Sequence, residues 1–193
     1  MASLRKRLQP RLFLVYAVAL AILLSARPSP RSIALGLLPI AAGVALRIWA
    51  TGYLHKNDAL TVSGPYAYLR HPLYLGTLLV GTGFAWMAAS PLALGLWVCF
   101  LAGYSLYYLP YKERIECARL EAIYGDAFRR YATAVPALLP RLHAYHPLAG
   151  EGDATLVWNR ERFADNHELG MALAIFAGVA ALVALWVARW SLA

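Results

Sequence analysis

Charge is scarce in this chain: 15% of its 193 residues are charged, and only ten are acidic. With 61% hydrophobic residues, the composition departs from that of soluble domains toward the membrane class. Cysteine is almost missing as well. Cys99 lies in an apolar run and Cys117 in a charged one, with no CxxC pair, so neither a disulfide framework nor a thiolate metal site is indicated. No alternation of strand-like and helix-like segments exists, which excludes a soluble doubly wound nucleotide fold. Gly81-Thr82-Gly83 has no strand ahead of it, so it reads as a point of close helix packing rather than a dinucleotide loop.

What the chain does have is positive charge and long apolar runs. The net charge is +8, with 18 Lys and Arg. A soluble nucleic-acid binder would not carry several near-continuous apolar runs of spanning length, so the positive charge is expected to face anionic lipid. One all-α membrane domain over residues 1–193 is expected, with about five spans near 12–26, 32–54, 73–89, 92–109 and 167–190. The first run follows Arg5, Lys6, Arg7 and Arg11 and precedes Ser25-Ala26, so it reads either as a retained helix or as a signal-peptide core; the retained helix is expected here. Ser90-Pro91 turns the third and fourth spans into an antiparallel hairpin. Between 110 and 131, charges alternate with Leu120, Ile123, Phe128 and Tyr131 at helical spacing, the pattern of an amphipathic surface helix or helix pair broken at Gly125.

Lysine and arginine set the expected orientation. With the N-terminus inside, fourteen fall on inner segments (5, 6, 7, 11, 56, 70, 112, 114, 119, 129, 130, 141, 160 and 162), against 27, 31 and 189 outside; Arg47 lies within a span. Segments 55–72 and 110–165 would then share the cytoplasmic face.

The stretch from Gly64 to Gly76 is the densest in chemistry. It places Tyr66, Tyr68, Tyr74, Arg70 and His71 between two apolar runs. Arg70 and His71 suit a carboxylate or phosphate, Glu113 and Glu116 one turn apart suit ribose hydroxyls or an amino group, and the tyrosines suit an adenine or a sulfonium cation. The bland alternatives are an interfacial tyrosine belt, a topology-setting Arg70, and His71-Pro72 as a mere helix start. Arg47 reads either as an interfacial residue or as a charge aimed at a buried polar site.

Gly64-Pro65-Tyr66, Arg70-His71-Pro72, Tyr74 and Gly76, followed by Glu116, Leu120, Tyr124-Gly125, Phe128, Tyr131, Val135-Pro136 and Leu139-Pro140, resemble the paired motifs of the integral-membrane methyltransferases related to isoprenylcysteine carboxyl methyltransferase and the phospholipid methyltransferases. That resemblance implies S-adenosyl-L-methionine as cofactor and a lipid-borne methyl acceptor, with no nucleic-acid partner. By carry-over, His71, Tyr74, Gly76 and Glu116 would sit around the cofactor, with Arg70 close by; Tyr68, Leu69, Pro72 and Glu113 complete the candidate cofactor site, and Arg70, Glu116 and Arg47 are the catalytic candidates. One departure stands out: where the family usually has two adjacent glutamates, this chain has Glu116-Cys117, so the role of the second carboxylate is either missing or supplied by Glu113 from the neighbouring turn. The nearest family activity is carboxyl O-methylation of an isoprenylcysteine. Phospholipid amine N-methylation, an NADPH-dependent reductase of sterol-reductase type and a non-enzymatic helical scaffold are the alternatives.

Overall fold

The computed structural model describes residues 20–54, 60–148, 157–165 and 168–191. The regular elements among the described residues are helices, with no strand: α1 (20–25), α2 (Pro30–Thr51), α3 (Pro72–Ala88), α4 (Pro91–Gly103), α5 (Leu109–Tyr124), α6 (Asp126–Ala134), α7 (Arg160–Asp165) and α8 (Glu168–Trp190). Helix α2 starts where the sequence offers a cap and a proline. Ser29 accepts from the Ser32 amide while the Ser32 hydroxyl accepts from the Ser29 amide, and Pro30 occupies the first turn, where its missing N–H costs nothing.

The α2–α3 pair is the centre of the fold, and glycine makes it possible. Gly36 faces Gly83 and Gly43 faces Gly76, two contacts seven residues apart on antiparallel helices; a Cβ on Gly83 would stand 2.5 Å from the Gly36 carbonyl oxygen, and one on Gly43 2.5 Å from that of Gly76. The backbones therefore touch, as small residues allow between apolar helices. Gly81 and Thr82 seat the next helix: the Trp97 indole of α4 lies on Gly81 and donates its Nε1–H to Thr82 Oγ1 at 3.1 Å.

At the end remote from the polar motif, the Arg27 amide donates to the Ala88 carbonyl at 2.8 Å and Ser25 and Ser90 share a hydrogen bond of 2.9 Å. Ala89, in the left-handed region at φ 47°, reverses the chain into α4. A core of Ala26, Ile40, Met87, Ala88, Ala93 and Leu182 closes this end. A second core, Leu60, Val62, Phe128, Tyr131 and Val135, closes the motif end.

Among the described residues, three helical stretches are long and apolar enough to cross a membrane: Pro30–Thr51, Pro91–Tyr124 and Glu168–Trp190. Helix α3 has 17 residues, about 25 Å at 1.5 Å per residue, short of a hydrocarbon core about 30 Å thick. The expected first span falls largely outside the described residues. Of the five expected spans, three are thus supported by length and composition among the described residues.

The fourth expected span does not stop at Leu109. Pro91–Tyr124 is one helical rod of 34 residues, about 51 Å long, so the charged α5 projects as its continuation and is not a separate surface helix. Pro110 would ordinarily break the rod by clashing with the carbonyl four residues back; the π-helical segment Tyr104–Tyr108 immediately before it widens the turn and absorbs the proline. The amphipathic element is α6, which turns Phe128 and Tyr131 inward after a break at Gly125, whose φ of 55° suits glycine.

Candidate active site

Residues 64–71 cannot form a regular helix, because Gly64 takes φ 57° and Pro65 starts a short 3-10 turn, Gly64–Ala67. Its backbone groups are satisfied from the distant segment 131–145. The Arg70 amide donates to the Pro136 carbonyl at 2.9 Å and the His71 amide to the Ala137 carbonyl at 3.0 Å; in return the Tyr68 carbonyl accepts from the Arg141 amide and the Ala67 carbonyl from the Tyr145 amide. The Tyr131 hydroxyl donates to the Tyr66 carbonyl at 2.8 Å. The two motifs read in the sequence are thus halves of one structure.

Between them lies a cavity of about 380 Å³, inside the range of about 300–1,000 Å³ usual for ligand pockets. Arg70, His71, Glu116 and Arg119 form its polar part, and Leu54, Leu60, Leu120, Ile123 and Phe128 its apolar part, with Tyr66, Tyr124 and Tyr131 also in the wall. Arg70 is held from one face of α5: its Nη2 is ion-paired with Glu113 Oε1, and its Nη1 donates to Cys117 Sγ at 3.3 Å. Positions 113 and 117 are one helical turn apart, so both reach the same guanidinium. The Glu113 carboxylate thereby answers Arg70 next to the position where Cys117 stands.

Two buried polar atoms at the cavity have no hydrogen-bond partner among the described residues: Arg70 Nε and His71 Nε2. Such atoms are rare in folded proteins and mark sites where a ligand completes the bonding. Burial, together with the Arg70 guanidinium, lowers the pKa of His71 below its ordinary 6.5, although Glu116 and Glu113 oppose the shift. His71 is therefore neutral at pH 7. Tyr66 and Tyr131, enclosed in the wall, are pushed far above the ordinary tyrosine range, chiefly by burial, so they serve as hydroxyl groups and never as phenolates.

The structure brings Arg70, His71 and Glu116 together and disperses the rest of the expected set. Glu113 stands behind Arg70. Tyr74 is stacked on His71, ring centroids 5.1 Å apart, and carries the aromatic contact onward to Tyr104. Tyr68 turns its ring toward Trp49, at 6.3 Å, and away from the cavity wall. Leu69 and Pro72 are buried packing residues, and Pro72 starts α3. Gly76 serves the helix seam: a Cβ there would meet Arg47 Cγ at 2.5 Å. Arg47 is not in the cavity wall either. It is bound to Glu168 on α8, Nε to Oε2 at 3.1 Å and Nη2 to Oε1 at 2.5 Å, and its Nη1 donates to Thr77 Oγ1 at 2.6 Å and to the Leu73 carbonyl at 3.1 Å.

Sequence reading offered Tyr66 only alongside Tyr68 and Tyr74 as an aromatic face, and it missed Leu120, Phe128 and Tyr131 as wall residues and Glu168 as the partner of Arg47. Positions 116, 120, 123 and 124 share one helical face, a period that could have identified Leu120. Glu168 had no such signal, since it meets Arg47 from 121 residues away.

Taken together, the apolar helices and a polar, ligand-sized cavity at their ends define the class: a helical membrane protein with a candidate binding site where its helices end. A family model for phospholipid methyltransferases matches residues 32–127, which include α2, α3, the polar motif and the Glu113–Glu116 face. The cobalt-zinc-cadmium resistance protein CzcN of Cupriavidus metallidurans is 34% identical over 119 residues, 61% of this chain and 53% of its own length. The protein-S-isoprenylcysteine O-methyltransferase of Schizosaccharomyces pombe is 32% identical over 88 residues, 45% of this chain and 35% of its own. The chain thus spans about half or less of the length of these curated relatives. No solved structure matches it. The chain belongs to the family of integral-membrane methyltransferases that includes the phospholipid and isoprenylcysteine enzymes.

Proposed function

We propose that the protein is an S-adenosyl-L-methionine-dependent methyltransferase acting on a lipid-borne acceptor at the cytoplasmic face of a membrane, nearest in type to isoprenylcysteine carboxyl O-methylation. The observation that carries this reading is the cavity with its two unpartnered polar atoms, Arg70 Nε and His71 Nε2, facing Glu116 across a family-matched frame. The residues fit the cofactor's chemistry. Arg70 and His71 offer hydrogen bonds to a carboxylate, Glu116 accepts from a hydroxyl or amino group, and the apolar wall of Leu54, Leu60, Leu120, Ile123 and Phe128 suits a planar base.

When bound, the cofactor supplies a methyl carbon already activated by its sulfonium. What remains for the protein is proximity, alignment and a dry site. Tyr66, Phe128 and Tyr131 exclude water from the cavity floor, and Glu113 and Cys117 hold the Arg70 guanidinium in place. A carboxylate acceptor needs no base. An amine acceptor must lose a proton, and neutral His71 with a free Nε2 is the group positioned to receive it.

Amine N-methylation of a phospholipid is the second reading, favoured by the description of the matching family model; the carboxyl reading is favoured by the isoprenylcysteine relative. Product analysis with labelled cofactor, offering a prenylated cysteine and phosphatidylethanolamine in turn, separates them. Calorimetry in detergent should show S-adenosylhomocysteine binding that Arg70→Ala abolishes. Heat with NADPH and none with S-adenosylhomocysteine would remove the methyltransferase reading.

A further inference from the structure

We propose that Arg47 and Glu168 form a positioning clamp that ties α8 to the first turn of α3 and so sets the placement of His71 in the cofactor cavity. The inference rests on the methyltransferase reading for its functional consequence, though not for its structural one. Both residues are buried, each 8% exposed, and the pair is bidentate. An ion pair this deep repays its desolvation only through extensive bonding, and here every guanidinium nitrogen is bonded. The third of them, Nη1, reaches beyond the pair to Thr77 Oγ1 and the Leu73 carbonyl, both in the first two turns of α3.

Three features show that the clamp is built into the site's frame. Gly76 leaves the space that the Arg47 stem occupies, so a glycine assigned by its motif to the cofactor makes room for the clamp instead. The turn that Arg47 grips begins at His71, whose carbonyl accepts from the Tyr74 and Leu75 amides and whose ring is stacked on Tyr74. Tyr66, in the cavity wall, lies within electrostatic reach of Arg47, Glu168 and Glu116 alike. The clamp's charges are therefore felt at the cavity wall.

Glu168 lies outside the family-matched stretch, which ends at residue 127. Among the described residues of α8, only Glu168 and Leu182 are buried, with Ile175, Val179 and Leu185 half-buried against the core around Leu182, so Glu168 is the buried polar anchor of this helix. Through it, a helix beyond the matched region becomes part of the binding unit.

The test must separate placement from stability. Glu168→Gln alone leaves Arg47 buried without its counter-charge and is expected to unfold the protein in detergent. The decisive variant is the double Arg47→Met/Glu168→Leu, which removes both charges at similar volume and should keep the melting temperature near that of the wild type. It is measured for S-adenosylhomocysteine affinity by calorimetry and for hydrogen exchange at the Leu75, Gly76 and Thr77 amides. A folded double variant with affinity at least tenfold weaker and faster exchange at these amides supports the clamp. Wild-type affinity and wild-type protection together would overturn it. Thr77→Val, which removes one hook and spares the ion pair, should weaken affinity about threefold, and it decides the matter if the double variant does not fold. If the wild type itself binds no S-adenosylhomocysteine, the methyltransferase reading falls; exchange at the three amides then decides the clamp alone.

Discussion

Glu116 and Glu121 lie five residues apart on one helix and have different fates. Glu116 lines the cavity, while Glu121 is exposed and paired with Arg129 at 2.5 Å. A carboxylate bonded to ligand in a partly dry cavity contributes more than one in water, so Glu116→Gln should weaken S-adenosylhomocysteine binding about tenfold and Glu121→Gln leave it unchanged. Calorimetry of the two variants decides; equal affinities would refute the assignment. His71 carries the pH dependence. Its folded pKa lies below the ordinary 6.5, so as pH falls through about 6.5 the unfolded chain takes up the proton before the folded one does, and stability declines. Between pH 7.5 and 5.5 the melting temperature of the wild type should fall more steeply than that of His71→Asn. Parallel curves would mean that His71 titrates normally. The polar motif was legible as chemistry because Arg, His and Tyr between apolar runs have few purely structural explanations. Which tyrosine lines the cavity was not legible, since the 3-10 turn puts Tyr66 inside and sends Tyr68 toward Trp49.

Helix contacts separate two kinds of glycine that look identical in sequence. Gly83 is in backbone contact with α2, whereas a Cβ on Gly95 of α4 would meet nothing within 4 Å. Gly83→Val should destabilise the protein by about 1–3 kcal/mol through overpacking of the seam. Gly95→Ala should be neutral or stabilising by about 0.5–1 kcal/mol, because alanine loses less conformational freedom in a helix. Thermal unfolding in detergent reads both, and a stable Gly83→Val would mean that the α2–α3 seam is looser than described. The helical nature of each element was plain from the length of the apolar runs and the spacing of apolar residues, whereas the helix starts at Ser29-Pro30 and Ser90-Pro91 were found only in the structure. The unbroken rod through Pro110 was not. A proline ordinarily ends a helix, and only the π segment ahead of it removes the clash.

For the whole molecule, orientation and acceptor size follow from bulk physics. Fourteen lysines and arginines on one side against three on the other predict that the motif end is cytoplasmic. In a variant lacking both native cysteines, a membrane-impermeant maleimide applied to intact cells should label Arg27→Cys and spare Leu148→Cys; the reverse would invert the topology. An acceptor drawn from the bilayer should owe much of its affinity to its tail, at about 0.8 kcal/mol per buried CH₂. Shortening the tail by five carbons should weaken apparent affinity by up to about a thousandfold, given about 1.4 kcal/mol per tenfold change. Equal methylation of short, water-soluble acceptors in detergent would argue against a lipid-borne substrate.

The sequence alone determined that this is a helical membrane protein of the methyltransferase family, because apolar run length, charge asymmetry and two spaced motifs are properties of the linear chain. It also singled out Arg70, His71 and Glu116. Only the tertiary structure decided that Arg47 pairs with Glu168, that Gly76 belongs to a helix seam, and that segment 136–145 completes the site's backbone bonding. These are contacts between residues tens to more than a hundred positions apart, and local pattern carries no trace of which distant partner a buried charge, a glycine or an unpaired carbonyl will find.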